Sequence, residues 1–278
     1  MLTSANGTTL FTESLGQGPA ILVLHGGLGF DHTYFRPYLD PLADANRLVY
    51  LDHRNHGRSG RPPIEQLTHE QLAADVEAIR SSLGLGKMIL FGHSYGGFVA
   101  LEYALRYQDR IAGLVLCCTA PAIDYADVVM ENAKRKGTPK QFAAVEKVFA
   151  GTIDTDEELR ATWPDVLPLY FVSYDPALGA ELDRKGSYSG AAFHRAFTSL
   201  VPAYNVAPRL GEIRVPTLIF SGRHDWITPV TQGGQRLKDG IPGSELVVFE
   251  RSGHYPFIEE QPAFLTALRS WLARVPRA

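Results

Sequence analysis

Gly92-His93-Ser94-Tyr95-Gly96 follows the apolar run Met88-Ile89-Leu90-Phe91 and leads into a helical pattern through Phe98, Val99 and Leu101. A serine at the tip of so sharp a strand-to-helix turn sits in a strained backbone, and glycines two residues to either side keep side chains out of the crowded bend. The helix that follows aims its first amides at the serine, so the Tyr95 amide can bind a developing oxyanion. The pentapeptide alone is a weak signal. The strand before it and the helix after it give it weight.

Working outward, Ala20–Leu24, Leu48–Leu51, Leu114–Leu116, Thr217–Phe220 and Leu246–Phe249 are short apolar runs like Met88–Phe91. Unbroken runs of this kind suit strands buried on both faces of a mostly parallel sheet. Helical patterns lie between them. Thr68 with Gln71 caps a helix that carries Leu72, Val76, Ile79 and Leu83 on one face, and Gly84 stops it. Phe264, Leu265, Leu268 and Leu272 mark a closing amphipathic helix. Strand-helix alternation predicts an α/β fold with a doubly wound sheet. From about Pro121 to Pro208 the alternation lapses into helix signals alone, with capped starts at Thr138 and Thr155. The predicted organisation is one α/β core from residues 1–120 and 209–278, with residues 121–208 forming a helical cap that shapes a pocket and excludes water.

A serine nucleophile needs a base and a group to orient that base. On this architecture the chain order must be Ser, then acid, then His. Of nine histidines, only His254 lies beyond Asp225, and each follows an apolar run at the sheet edge where such folds build their sites. The expected catalytic residues are therefore Ser94, Asp225 and His254. The expected oxyanion donors are the amides of Tyr95 and Gly27, the latter in His25-Gly26-Gly27-Leu28-Gly29, with Leu28 as the alternative donor. Leu28, Trp163 and Tyr170 are candidate substrate contacts. Glu131, Glu146 and Glu181 could in principle hold a substrate amine, although solvated helix faces are the simpler reading.

The 278 residues carry a net charge of −3, which gives no footprint for nucleic acid or an acidic membrane surface. Met1–Ser14 is polar and lacks the features of a secretory signal, and no apolar run is long enough to span a bilayer. Cys117 and Cys118 are adjacent, which rules out a disulfide framework. Asp52, His53 and His56 have no third histidine or cysteine at ligand spacing and read as a structural turn. We therefore expect a cytoplasmic protein, a monomer or homodimer, with no cofactor and no metal. Its expected partner is a small molecule, an ester or lactone on the resemblance described next.

These segments together resemble the α/β-hydrolase superfamily from about Gly18 to Leu272. The matching pieces are His25–Gly27, Asp52–Ser59, Gly92–Gly97, Gly222–Pro229 and Gly253–Pro262. Among capped members the chain is similar to the branch holding proline iminopeptidases, small carboxylesterases and acyl-homoserine lactonases. The resemblance implies the α/β-hydrolase fold and a Ser-His-Asp triad on Ser94, His254 and Asp225. It implies hydrolysis of carboxylic esters or lactones, with N-acyl-homoserine lactones as one specific version. Prolyl aminopeptidase activity is the alternative, weakened by Leu28 in place of the usual HGGPG proline and by Arg54-Asn55-His56-Gly57 where those relatives read R-G-x-G. A non-catalytic ligand receptor on the same scaffold is the reading from another class.

Overall fold

A computed structural model describes residues 1–276. The chain begins with two strands, β1 (Leu2–Ala5) and β2 (Thr8–Leu15), paired antiparallel around Asn6-Gly7. Both turn residues have positive φ (48° and 76°), the geometry that Asn-Gly supplies to a tight hairpin. Sequence reading missed this hairpin. As the edge of the sheet it buries only Leu10 and Thr12, so it carries no unbroken apolar run.

The remaining strands are β3 (Ala20–Leu24), β4 (Arg47–Leu51), β5 (Met88–His93), β6 (Ile111–Cys117), β7 (Thr217–Gly222) and β8 (Glu245–Phe249). The sheet order is β1-β2-β4-β3-β5-β6-β7-β8, parallel from β4 to β8. The chain winds outward from β3 in both directions, so loops leaving the carboxyl ends of the central strands meet over one edge. Alternate residues of these strands feed two apolar layers. Val23, Phe91, Val115 and Phe220 enter one, and Leu22, Leu90, Leu116 and Ile219 enter the other. That two-sided burial accounts for the unbroken apolar runs.

Helix α1 (His69–Ser82) starts where Thr68 Oγ1 accepts the Gln71 amide, and Gly84 follows its end with φ 60°. It packs against α2 (Tyr95–Tyr107), which lies over β5 and β6. The C-terminal helix Gln261–Leu272 covers the opposite layer with Phe264, Leu268 and Trp271, each worth roughly 1.5–3 kcal/mol of burial. Arg54 and Asp75 form a fully buried bidentate pair (2.6 and 2.7 Å), and Asp75 also accepts from Asn6 at 2.9 Å. This pair ties the hairpin turn, the loop after β4 and α1 together.

Between β6 and β7 the chain runs through α3 (Ala126–Lys136), α4 (Pro139–Phe149), α5 (Asp156–Val166), α6 (Pro176–Lys185) and α7 (Gly190–Arg195). Thr138 and Gln141 make a full reciprocal capping box at α4, while Thr155 accepts the Glu158 amide at α5. A single π-helical turn, Ala196–Leu200, follows α7. The two ends of this helical segment are joined by an Ala122–Asn205 bridge and a Val206 N–H to Pro121 carbonyl bond of 2.8 Å.

Candidate active site

Ser94 is the one residue between β5 and α2, and its backbone (φ 53°, ψ −122°) is one that side-chain-bearing residues avoid. A Cβ on Gly92 would fall 2.4 Å from the Gly96 carbonyl oxygen, and one on Gly96 would fall 2.3 Å from that of Leu24. Both glycines are thus required by close approach. The turn is held by the Ser94 N–H to Cys117 (2.9 Å) and the Gly97 N–H to Ser94 (2.8 Å).

His254 follows β8 and Asp225 follows β7. The His254 ring donates through Nδ1 to Asp225 Oδ2 at 2.7 Å, and both residues are buried. Asp225 accepts three further bonds, from Thr228 Oγ1 (2.5 Å) and from the amides of Ile227 and Thr228 (3.1 Å each). Burial pushes its carboxyl up, but the His254 ring and the Thr228 donors outweigh this and hold it below the ordinary carboxylate range. The carboxylate is fixed as an anion facing His254 Nδ1. Cys118, Asp225 and His254 place one potential metal-ligand atom each within 4.8 Å of the others. The donors around Asp225 and the burial that keeps Cys118 a thiol suit a hydrogen-bonded pair rather than a metal.

The loop after β3 approaches Ser94 from the other side. A Cβ on Gly26 would lie 2.7 Å from the Ser94 Cβ, and Gly27 has φ 73°. The Gly26 peptide is held at both ends. Its N–H donates to the Tyr34 hydroxyl (2.6 Å), and its carbonyl accepts from His25 Nδ1 (3.0 Å). His25 Nε2 accepts the His53 amide at 3.2 Å, which assigns the proton to Nδ1.

Tyr34 was not found from sequence. Its hydroxyl also donates to His93 Nδ1 at 2.8 Å, and His93 Nε2 donates to the His254 carbonyl at 2.9 Å. Burial keeps His93 neutral and Tyr34 protonated, as this donor order requires. One chain of hydrogen bonds therefore links the β3 loop, the end of β5 and the loop bearing His254. No pattern around Tyr34 points to it in advance, because the link exists only once the loops meet.

Two compartments share Ser94, Gly27, Phe30, Trp163 and Tyr170. The larger, about 320 Å³, also contains His254, Tyr34, Tyr174, Tyr188 and two carboxylates, Asp31 and Asp183. The smaller, about 70 Å³, runs past Leu28, Tyr95 and Phe98 to Phe149 and Phe197, and among the described residues no carboxylate lines it. Trp163 and Tyr170 thus stand on the wall between the two, their rings 5.4 Å apart, with Tyr170 edge-on to His254 at 5.0 Å. Leu28 lines only the smaller compartment, from a fully buried position. Glu131, Glu146 and Glu181 line neither and are exposed. Asp31 accepts from Thr33 through one oxygen and from Ser187 N and Oγ (2.8 and 2.7 Å) through the other. Asp183 accepts from Arg160 (3.1 Å) and Tyr188 (2.8 Å).

Residues 19–261 match the family model described as alpha/beta hydrolase fold. A proline iminopeptidase from Pestalotiopsis fici is 27% identical over 97% of this chain and 98% of its own. The solved enol-lactonase of Burkholderia xenovorans LB400 superposes with a TM-score of 0.81 at 26% identity, covering 99% of this chain and 100% of that one. A solved N-acyl homoserine lactone degrading enzyme gives a TM-score of 0.73 at 25% identity, covering 97% and 99%.

Proposed function

Because this chain belongs to the alpha/beta hydrolase fold family, we propose that it is a serine hydrolase of carboxylic esters or lactones, with Ser94 as nucleophile, His254 as base and Asp225 as its orienting anion. The observation that carries this reading is the buried 2.7 Å Asp225–His254 pair opening onto the same cavity as the strained Ser94. His254 Nε2 takes the Ser94 proton as Oγ attacks the carbonyl carbon, and Asp225 stabilises the resulting imidazolium. The amides of Tyr95 and Gly27 receive the oxyanion. Collapse of the tetrahedral species expels the alcohol, which takes the proton from His254 and leaves an acyl-Ser94 ester. A water deprotonated by His254 then attacks that ester, releasing the acid and restoring Ser94. The helices of residues 121–208 act as a cap that screens this exchange from bulk water.

Prolyl aminopeptidase activity is the second reading, favoured by the iminopeptidase relative and by the two carboxylates in the larger compartment. It is the weaker one. A prolyl substrate carries its amine on the acyl half, and an ammonium buried there needs an anionic partner. The leaving group must sit beside His254, which protonates it. His254 lines only the larger compartment, so the acyl half goes to the smaller one, where no carboxylate lies.

Initial rates on a short-chain nitrophenyl ester, an acyl-homoserine lactone and a prolyl arylamide test the choice, with Ser94→Ala protein as blank. Ester or lactone cleavage with an inert arylamide is expected. A dominant arylamide rate would establish the peptidase instead, and silence on all three together with tight stoichiometric ligand binding would favour a receptor.

A further inference from the structure

The division of the cavity at Ser94 bears on which ester is cleaved. An ester has two halves, and catalysis assigns each a side: the alcohol departs toward the proton donor His254, and the acyl group stays on the far side of Ser94. His254 lines the compartment of about 320 Å³ and is absent from the one of about 70 Å³. A water-sized group needs roughly 10–15 Å³ of such space, so the smaller compartment takes on the order of five heavy atoms and the larger between about four and five times as many.

Their walls differ in kind as well. Beyond Ser94 the small compartment is closed by Phe193, Phe197 and Phe149, with Phe193–Phe197 centroids at 4.8 Å and Phe149–Phe197 at 5.5 Å in an edge-on arrangement. Phe193, Ala196 and Phe197 occur at the spacing of one helix face, and the π-helical turn begins at Ala196. The large compartment is bounded by Tyr34, Tyr174 and Tyr188, rings with polar tips, and by the ring of Phe30 that both compartments share. Flat rings of this kind suit an aromatic or cyclic guest.

We propose that the enzyme selects esters of a short acyl group, about two to five carbons, with a bulky aromatic or cyclic alcohol, and that Phe197 sets the acyl limit. This rests on the ester-hydrolase reading above. For a homoserine lactone the N-acyl chain hangs from the carbon next to the attacked carbonyl, on the acyl half, so short N-acyl homologues are the preferred ones.

Two substrate series test it. In one, nitrophenyl esters run from acetyl through butanoyl and hexanoyl to decanoyl. In the other, acetates of ethyl, benzyl and naphthylmethyl alcohol are compared, since these alcohols have similar acidity. The expected result is a fall in kcat/KM of at least about tenfold from butanoyl to decanoyl, and a rise of similar size from ethyl to naphthylmethyl. Phe197→Ala removes six ring carbons and, with partial collapse of the site, should move the acyl optimum longer by about two to four carbons, while leaving the benzyl-to-ethyl ratio unchanged. Tyr174→Ala should lower that ratio and leave the acyl optimum in place. Rates that rise through decanoyl, or a Phe197→Ala optimum that stays put in a folded, active protein, would overturn the proposal while leaving the hydrolase reading intact. No turnover of any ester above the Ser94→Ala blank would remove that reading itself.

Discussion

In the loops that follow β3, β5, β7 and β8, the functional polar groups are held by short-range bonds or by the neighbouring loop. Asp225 has four donors, three of them from within its own residues 225–228 apart from His254, and the Gly26 peptide is pinned at both ends. Across residues 126–203, the largest groups that face the cavity are aromatic rings held by packing, such as Trp163 against Phe30 at 4.3 Å. The first region fixes atoms to within a hydrogen bond; the second sets a volume. A site assembled this way can keep its reaction while its guest changes, because a ring can be exchanged without moving the serine.

Substitutions should therefore separate the two regions by size of effect. Ser94→Ala removes the nucleophile and should lower kcat by about a million-fold or to the assay floor, with the thermal midpoint little changed. Asp225→Asn leaves the shape but offers His254 the wrong tautomer; a fall of roughly ten-thousand-fold in kcat is expected. An Asn variant within tenfold of the parent would show that the buried pair does not orient the base. Tyr34→Phe deletes the hydroxyl that joins Gly26, His93 and the loop of His254. It should cost about tenfold to a hundredfold in kcat, with a smaller change in KM and an altered pH profile of kcat/KM. A drop in stability alone would reduce Tyr34 to packing. Against these, the chain-length shift expected of Phe197→Ala is a change of preference, measured as a ratio of about tenfold.

The smallest effect concerns stability. Burial lowers His53 well below the ordinary 6.5 and His56 to about 3, so both are neutral when folded. The unfolded chain binds their protons first as pH falls, so stability declines once pH drops below about 6.5, and His56 extends that decline toward about pH 3. Urea midpoints at pH 7, 6, 5 and 4 (about evenly spaced values chosen to cross this window) should fall in that order. A flat profile would contradict neutral burial of this cluster.

The sequence made the first region legible and the second only in outline. Ser94, Asp225 and His254 each sit in a short segment whose residues make the local turn, so the motif and the geometry share a cause. Strands β3 to β7 were visible because burial on both faces leaves an unbroken apolar run, and the edge strand β8 because Leu246–Phe249 is apolar although only partly buried, whereas the β1–β2 hairpin, buried on one face, left only its Asn6-Gly7 turn as a signal. Trp163 and Tyr170 were picked as aromatics of the helical segment and do line the cavity. Phe149, Phe193 and Phe197 could not be singled out from their neighbours, since which ring turns inward is decided by how α4 and α7 pack. Asp31 was missed for the same reason: its partner Ser187 lies 156 residues away.

The bridge between Ala122 and Asn205 has a consequence for how such a molecule can be altered. It brings the entry and exit of more than 80 intervening residues side by side on the sheet edge. Chain closure between two adjacent points depends only weakly on what length lies between them, at about 0.6 kcal/mol per doubling. The junction therefore works as a socket: a segment of another length can close there at little entropic cost, provided it replaces the carbonyl of Tyr170 that accepts the His254 amide at 2.7 Å.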